Sequence, residues 1–314
     1  MNVSGDQQRL LVLCAIRLDK ASIDWSMVAR QTQIEGLDGL YAGRVVERSS
    51  VARTAEVLLE RGLGDLDSSK ERVEREIAAA AAVGARLTTV LDDDYPANLR
   101  LIPNLPPFLF YRGELLPGDS KSVAVVGTRR ATEAGLRRAR RLAHELVLSG
   151  VTIVSGLAAG IDTAAHETAL EQGGRTIAVM GTGITKTYPS ENKLLSEQIA
   201  LSGAVVSQFW PTAGPATWTF PRRNVVTSGI SQGTVVIEAS STSGAKMQAR
   251  LALEHGKQVF LMRTLVTEQD WARNFLQRGA VEVVDVDDVV NRLATSTRVQ
   301  AASAQAKQLS LGLL

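Results

Sequence analysis

The 314-residue chain is 45% hydrophobic and 22% charged, the balance of a folded globular protein, so composition excludes wholesale disorder. At roughly 150 residues per domain, this length predicts one large domain beside a smaller one, with a core that needs no covalent staples. The net charge of +2 does not by itself point to nucleic acid, the lone Cys14 excludes an intrachain disulfide, and neither a basic-then-apolar leader nor a run of about 20 apolar residues is present; the expectation is a cytoplasmic protein without membrane contact.

From Gln7 to about Arg86 the segments LLVLCAIRL, DWSMVARQ, SVARTAEVLLERGL and ERVEREIAAAAAVGA read as helices, giving a helical domain over 1–86. Ser50 is the expected N-cap of the third, with Gly62 and Gly64 as its stop. The stretch 92–120 reads as a linker, because Pro96, Pro103, Pro106 and Pro107 forbid a continuous helix. Within it, FLFY is a candidate short strand. After Ser122, apolar β-branched runs alternate with helical ones. The runs are VAVVG, VTIVSG, TIAVMG, AVVSQ, TVVIEA, QVFLM and VEVV. Helices are expected at 133–148, 161–172, 194–201, 222–230, 244–255 and 270–278. The pattern predicts an α/β fold with a mostly parallel sheet over 87–294, whose ligands bind beyond the carboxyl ends of the strands.

The loops at those ends carry the candidate chemistry. GTRRATEAG turns from a strand into a helix capped by Thr132, with Gly127, Arg129 and Arg130 beside backbone N–H groups able to receive an anion. The following helix bears Arg137, Arg138, Arg140 and Arg141, read as a solvated face. In SGLAAGIDTAAH, Gly156 and Gly160 permit close backbone approach, Asp162 is a candidate helix cap and His166 a hydrogen-bonded structural histidine. GTGITKTYPSENK offers Gly183, Lys186 and Lys193 to a polar groove, and SSTSGAKMQAR offers Lys246 at a helix start. FWPTAGPATWTFPRRN gathers Phe209, Trp210, Trp218 and Phe220 beside Arg222, Arg223 and Asn224. Such a set can stack unpaired bases and hold phosphates, or the rings can serve loop packing or a subunit contact. The three histidines show no metal spacing, no nucleophile-elbow sequence is present, and no cofactor is expected.

Taken in order, YPANLRLIPNLPPFLFYRG, VAVVGTRRAT, IVSGLAAGIDTAAHETAL, IAVMGTGITKTYPSENKLL, FPRRN and VVIEASSTSGAKMQARLAL resemble the DNA-processing protein A (DprA/Smf) family over about 87–284. The resemblance implies an extended Rossmann-like, doubly wound sheet that binds single-stranded DNA without sequence preference. It further implies a homodimer that helps load the RecA recombinase in natural transformation, and no enzymatic activity. Carried over by position, Arg129 matches the arginine of the GxR turn, Phe220 the aromatic before the helix, and Arg222, Arg223 and Asn224 most of FPxRNR. The chain departs from the pattern at Val225, Ala159, Gln208 and Met262-Arg263.

Residues 295–314 read as a flexible tether ending in QLSLGLL, where Gln308, Leu309, Leu311 and Leu313 resemble the peptide that docks on the bacterial sliding clamp. The competing reading is an amphipathic end packed on its own domain. A different functional class, a nucleotide sensor or LOG-type nucleotide phosphoribohydrolase, would use a PGGxGTxxE element. The corresponding stretch here is SQGTVVIEASSTSG, which lacks the glycine run.

Overall fold

The computed structural model describes residues 1–18 and 21–312, with backbone alone for 309–312. The chain opens with α1 (Gly5–Ala15), then a two-stranded ribbon of β1 (Arg17–Leu18) and β2 (Ala21–Ser22), then α2 (Trp25–Tyr41), α3 (Ser50–Gly62) and α4 (Asp67–Ala82). Every residue of α1 from Leu10 to Ala15 is buried, so this uninterrupted apolar run is the central helix of the module. The cap of α3 is Ser49, one residue before the expected Ser50. Its extended backbone aims the hydroxyl at the Ala52 N–H, 3.1 Å away.

The sheet begins at β3 (Arg86–Thr89) and β4 (Phe108–Gly113). It continues with β5 (Ser122–Val126), α5 (Glu133–Leu148), β6 (Thr152–Ser155), α6 (Ile161–Glu171), β7 (Thr176–Val179), α7 (Lys193–Ser202) and β8 (Ala204–Ser207). Next come α8 (Thr219–Ile230), β9 (Gly233–Val236), α9 (Gly244–Glu254), β10 (Gln258–Met262), α10 (Arg263–Glu268), α11 (Asp270–Leu276), β11 (Val281–Val283), α12 (Asp287–Val290) and α13 (Ser296–Gly312). Among the described residues these strands form one sheet in the order β11-β10-β9-β5-β6-β7-β8-β4-β3. The strands from β11 to β8 are parallel, while β4 and β3 extend that edge antiparallel. All seven apolar runs after Ser122 are strands of this sheet, and the fold is the α/β, Rossmann-like, doubly wound one. Side chains alternate along the strands. In β5, Val123 and Val125 pack beneath α5 and α6, whereas Ala124 and Val126 face the layer of α8 and α9.

The expected linker is packed structure instead. Its prolines break the helix, but its polar groups find internal partners: the Tyr95 hydroxyl donates to the Pro106 carbonyl (2.6 Å), Asn98 to that of Ser120 (2.8 Å) and the Arg100 guanidinium to that of Val90 (2.7 Å). Leu99 is fully buried. The helical module is fastened to this edge by rings, with Trp25 4.9 Å from Phe108 and 5.8 Å from Trp210 between centroids. One hydrophobic cluster runs through both parts.

The tail departs from expectation as well. Residues 296–312 form α13, whose Val299 and Ser303 are buried, while Gln300 donates to the Pro117 carbonyl and Lys307 pairs with Asp93 at 3.0 Å. Ala301, Ala302, Ala304 and Ala306 favour a helix and keep its surface small. The part of the tail from Ser296 to Lys307 is thus packed on the chain's own domain. Gln308 is exposed; the side chains of Leu309 and Leu311, and all of Leu313, lie outside the described residues. Among the described residues no helix is long and apolar enough to cross a membrane.

Because the module and the sheet share a core, urea denaturation should give one transition, coincident by tryptophan fluorescence and far-UV circular dichroism. Trp25→Ala should lower its free energy by roughly 3 kcal/mol. Two separated transitions would refute the shared core.

Candidate nucleic-acid interface

The sheet's winding reverses beside β5: the chain runs outward through β6, β7 and β8, then returns to add β9, β10 and β11 on the other side. Such a switch point opens a crevice beyond the strands' carboxyl ends. Here it is a pocket of about 310 Å³ walled by the loop 127–130, the loop after β6, the first turn of α8 and the start of α9. The N-termini of α5, capped by Thr132, and of α9, capped by Ser243, open beside it, adding partial positive charge.

Arg223 organises this crevice. It is 7% exposed, and its guanidinium donates to the Gly156 carbonyl, to that of Val179 (3.1 Å) and to Asn224 Oδ1 (3.1 Å). Gly156 has no Cβ because that atom would occupy the guanidinium's place. Asp162 does not cap α6, whose N-cap is Gly160. Its carboxylate instead accepts from the Gly156 and Ala158 N–H groups at 3.1 and 3.4 Å, turning the loop inward. Burial pushes Asp162 up against the opposing pull of Arg223, and pushes Arg223 down from the usual guanidinium range. Between them Leu157 holds φ at +60°, a conformation that costs a β-carbon residue roughly 1–3 kcal/mol. The Asn192 amide fixes it by donating to the Leu157 carbonyl at 2.9 Å.

Above this frame the Arg129 guanidinium lies 5.3 Å from the Phe220 ring centroid, and the Tyr188 ring packs tilted against Phe220 with its centroid 5.6 Å away. Arg129 and Arg130 are exposed, and among the described residues neither meets a carboxylate. A hollow of about 210 Å³ continues the pocket past Ala159, Tyr188 and Pro189.

The sequence model of the DNA recombination-mediator protein A family matches residues 86–294. The chain belongs to this family. Protein Smf of Synechocystis is 40% identical over 208 residues, 64% of this chain and 52% of that protein. DNA processing protein DprA of Streptococcus pneumoniae is 38% identical over 204 residues, 64% of this chain and 72% of that one. The alignment with Synechocystis Smf thus spans only about half of that relative. The solved structure of the S. pneumoniae protein superposes with a TM-score of 0.73 at 28% identity, covering 94% of this chain and 99% of that one. A structure describing the single-stranded DNA binding mode of DNA processing protein A from Helicobacter pylori superposes with a TM-score of 0.58, also at 28% identity, over 66% of this chain and 94% of that one.

In this family member the nominated residues divide. Gly127, Arg129, Arg130, Gly156, Phe220, Arg223 and Asn224 all line the crevice. Arg223 and Asn224 are buried and form the framework beneath the crevice. Arg222, one residue along α8, points instead into a second cleft beside Trp218. Gly183 packs against the Trp210 and Pro211 carbonyls, and Lys246 turns back to the Ser241 carbonyl (3.1 Å) near Trp271. Lys186 is exposed but outside the crevice lining. Phe209 and Trp210 are buried, which places them with packing, whereas Trp218 is 62% exposed. Sequence reasoning missed Tyr188, whose signal lay in the loop GTGITKTYPSENK.

His166 is wholly buried, and its Nδ1 lies 2.6 Å from the Thr176 hydroxyl, which donates to the Ile153 carbonyl at 3.0 Å. That hydroxyl's one proton is spent on Ile153, so Nδ1 must carry the ring proton. Burial, helped by the charge of Arg223, pushes His166 down to about 3. The unfolded chain, with its imidazole near 6.5, takes up the proton first. The stability from this group is therefore complete above pH 6.5 and falls as pH drops toward 3, by up to about 1.4 kcal/mol per pH unit. Chemical denaturation across that window should show the decline, and the folded His166 ring resonance should not titrate above pH 5. A titration midpoint near 6.5 would contradict the assignment.

Proposed function

We propose that the crevice rim holds the sugar-phosphate backbone of single-stranded DNA without sequence preference. On this reading the protein catalyses no reaction and acts as a DprA-type mediator in DNA uptake and homologous recombination. The observation that carries it is the Arg129–Phe220 pair. A guanidinium with no carboxylate partner among the described residues lies against a partly exposed ring, which supplies together a phosphate contact and a stacking face that only an unpaired base can use. The H. pylori relative with its single-stranded DNA binding mode supports the same assignment. Arg223 contributes field and shape from beneath.

Family membership extends the proposal to a cytoplasmic homodimer that delivers the coated strand to RecA. The sliding clamp is proposed as partner for the 308–313 peptide on its sequence alone. Against nucleotide hydrolysis stands Glu238, whose carboxylate accepts from the Thr132 N–H and hydroxyl at 3.2 and 2.7 Å, with Arg138 at 3.8 Å.

Labelled single-stranded and duplex oligonucleotides, titrated at several salt concentrations, test the reading. The single strand should bind more tightly, with affinity falling steeply as salt rises. Arg129→Ala should weaken binding equally on all base compositions and reduce the slope of log K against log salt by about 0.7. Phe220→Ala should cost about 1–3 kcal/mol with the slope unchanged. Wild-type affinity in both variants would remove the rim from the interface. Incubation with nucleoside monophosphates should release no free base; release at an enzymatic rate would overturn the non-catalytic reading.

A further inference from the structure

A second cleft, of about 420 Å³, lies where the helical module meets the segment 208–222, inside the range of about 300–1,000 Å³ typical of small-molecule sites. Three guanidinium groups line it: Arg17 from the β1–β2 ribbon, Arg72 from α4, whose guanidinium carbon is 4.9 Å from the Trp210 centroid, and Arg222 from α8. Two carboxylates line it too, but both are occupied. Asp24 caps α2 by accepting from the Met27 N–H (2.8 Å), and Glu76 accepts from the Thr212 N–H (2.9 Å) and hydroxyl (2.8 Å). Among the described residues none of the three arginines forms an ion pair. Burial, together with the like charge of Arg17, pushes Arg72 below the ordinary guanidinium range against the opposing pull of Glu76, and a further anion in the cleft would favour its charged form. Trp218 stands at the mouth, 62% exposed, braced edge-on by Phe209 at 5.8 Å.

We propose that this cleft is a second nucleotide site, with the base stacked on Trp218 and the phosphate held among Arg17, Arg72 and Arg222. The inference rests on the single-strand reading for its natural source of nucleotides, because both sites share the first turn of α8. Successive helical residues point about 100° apart, so Arg223 serves the crevice while Arg222 serves the cleft. A strand leaving Phe220 rounds the end of α8 to reach Trp218. The same chemistry would accept a free nucleotide, and the two sources give different results.

The test uses the full chain and two probes, a twenty-residue oligothymidylate and thymidine monophosphate, with Trp218→Ala, Arg17→Ala, Arg129→Ala and Phe220→Ala. Arg17 is exposed, with no described partner, so its variant keeps the fold even if the loss of Trp218 disturbs packing. If the cleft takes part of the strand, Trp218→Ala and Arg17→Ala each weaken oligonucleotide binding by about fivefold or more. If it takes a free nucleotide, the monophosphate quenches indole fluorescence in the wild type but not in these variants, while their oligonucleotide affinity stays unchanged. Wild-type behaviour of both variants toward both probes overturns the second site. Wild-type oligonucleotide binding by both Arg129→Ala and Phe220→Ala would instead sink the rim reading, and leaves the cleft to be judged by its own variants.

Discussion

The burial of one guanidinium is the constraint on which the crevice depends. Removing Arg223 from water costs several kcal/mol, which its neighbours must offset. They do so with the carbonyls of Gly156 and Val179, the side chain of Asn224 and the nearby charge of Asp162. These partners come from the loop after β6, from β7, α6 and α8, so satisfying one side chain ties these four parts of the chain together. The left-handed turn at Leu157 is held by the same framework. A loop constrained from so many sides is set before any ligand arrives, and little ordering cost remains for binding.

Some arginines away from the proposed surfaces are neutralised by carboxylates: Arg30 by Glu47, Arg175 by Asp119, Arg263 by Glu282. At the crevice rim Arg129 faces a ring, as Arg72 does in the second cleft, and the two carboxylates lining that cleft are bound to backbone or hydroxyl groups. A chain with a net charge of only +2 thereby acquires strongly positive sites, since local fields depend on unpaired charges more than on their total. Docking of the helical module creates the second of these sites, bringing Arg17 and Arg72 against a segment more than 130 residues away in the sequence.

The sequence determined the layered α/β fold and the level at which its chemistry sits. Seven β-branched apolar runs separated by helical patterns leave a buried parallel sheet as the way to cover both strand faces, and glycine-rich loops then fall at the carboxyl ends. Gly127, Arg129, Arg130 and Phe220 were legible there because residue type and loop position agree. Only the tertiary structure could divide Arg222 from Arg223, since a helix turns adjacent side chains apart and what each meets depends on remote segments. The same holds for the packed 92–120 stretch, where prolines rule out a helix but say nothing of carbonyls waiting nearby, and for α13, where alanines permit a helix that gains a buried face only against its own domain. Local pattern sets which backbone conformations are cheap; which side chains lose water is decided by contacts that no local window contains.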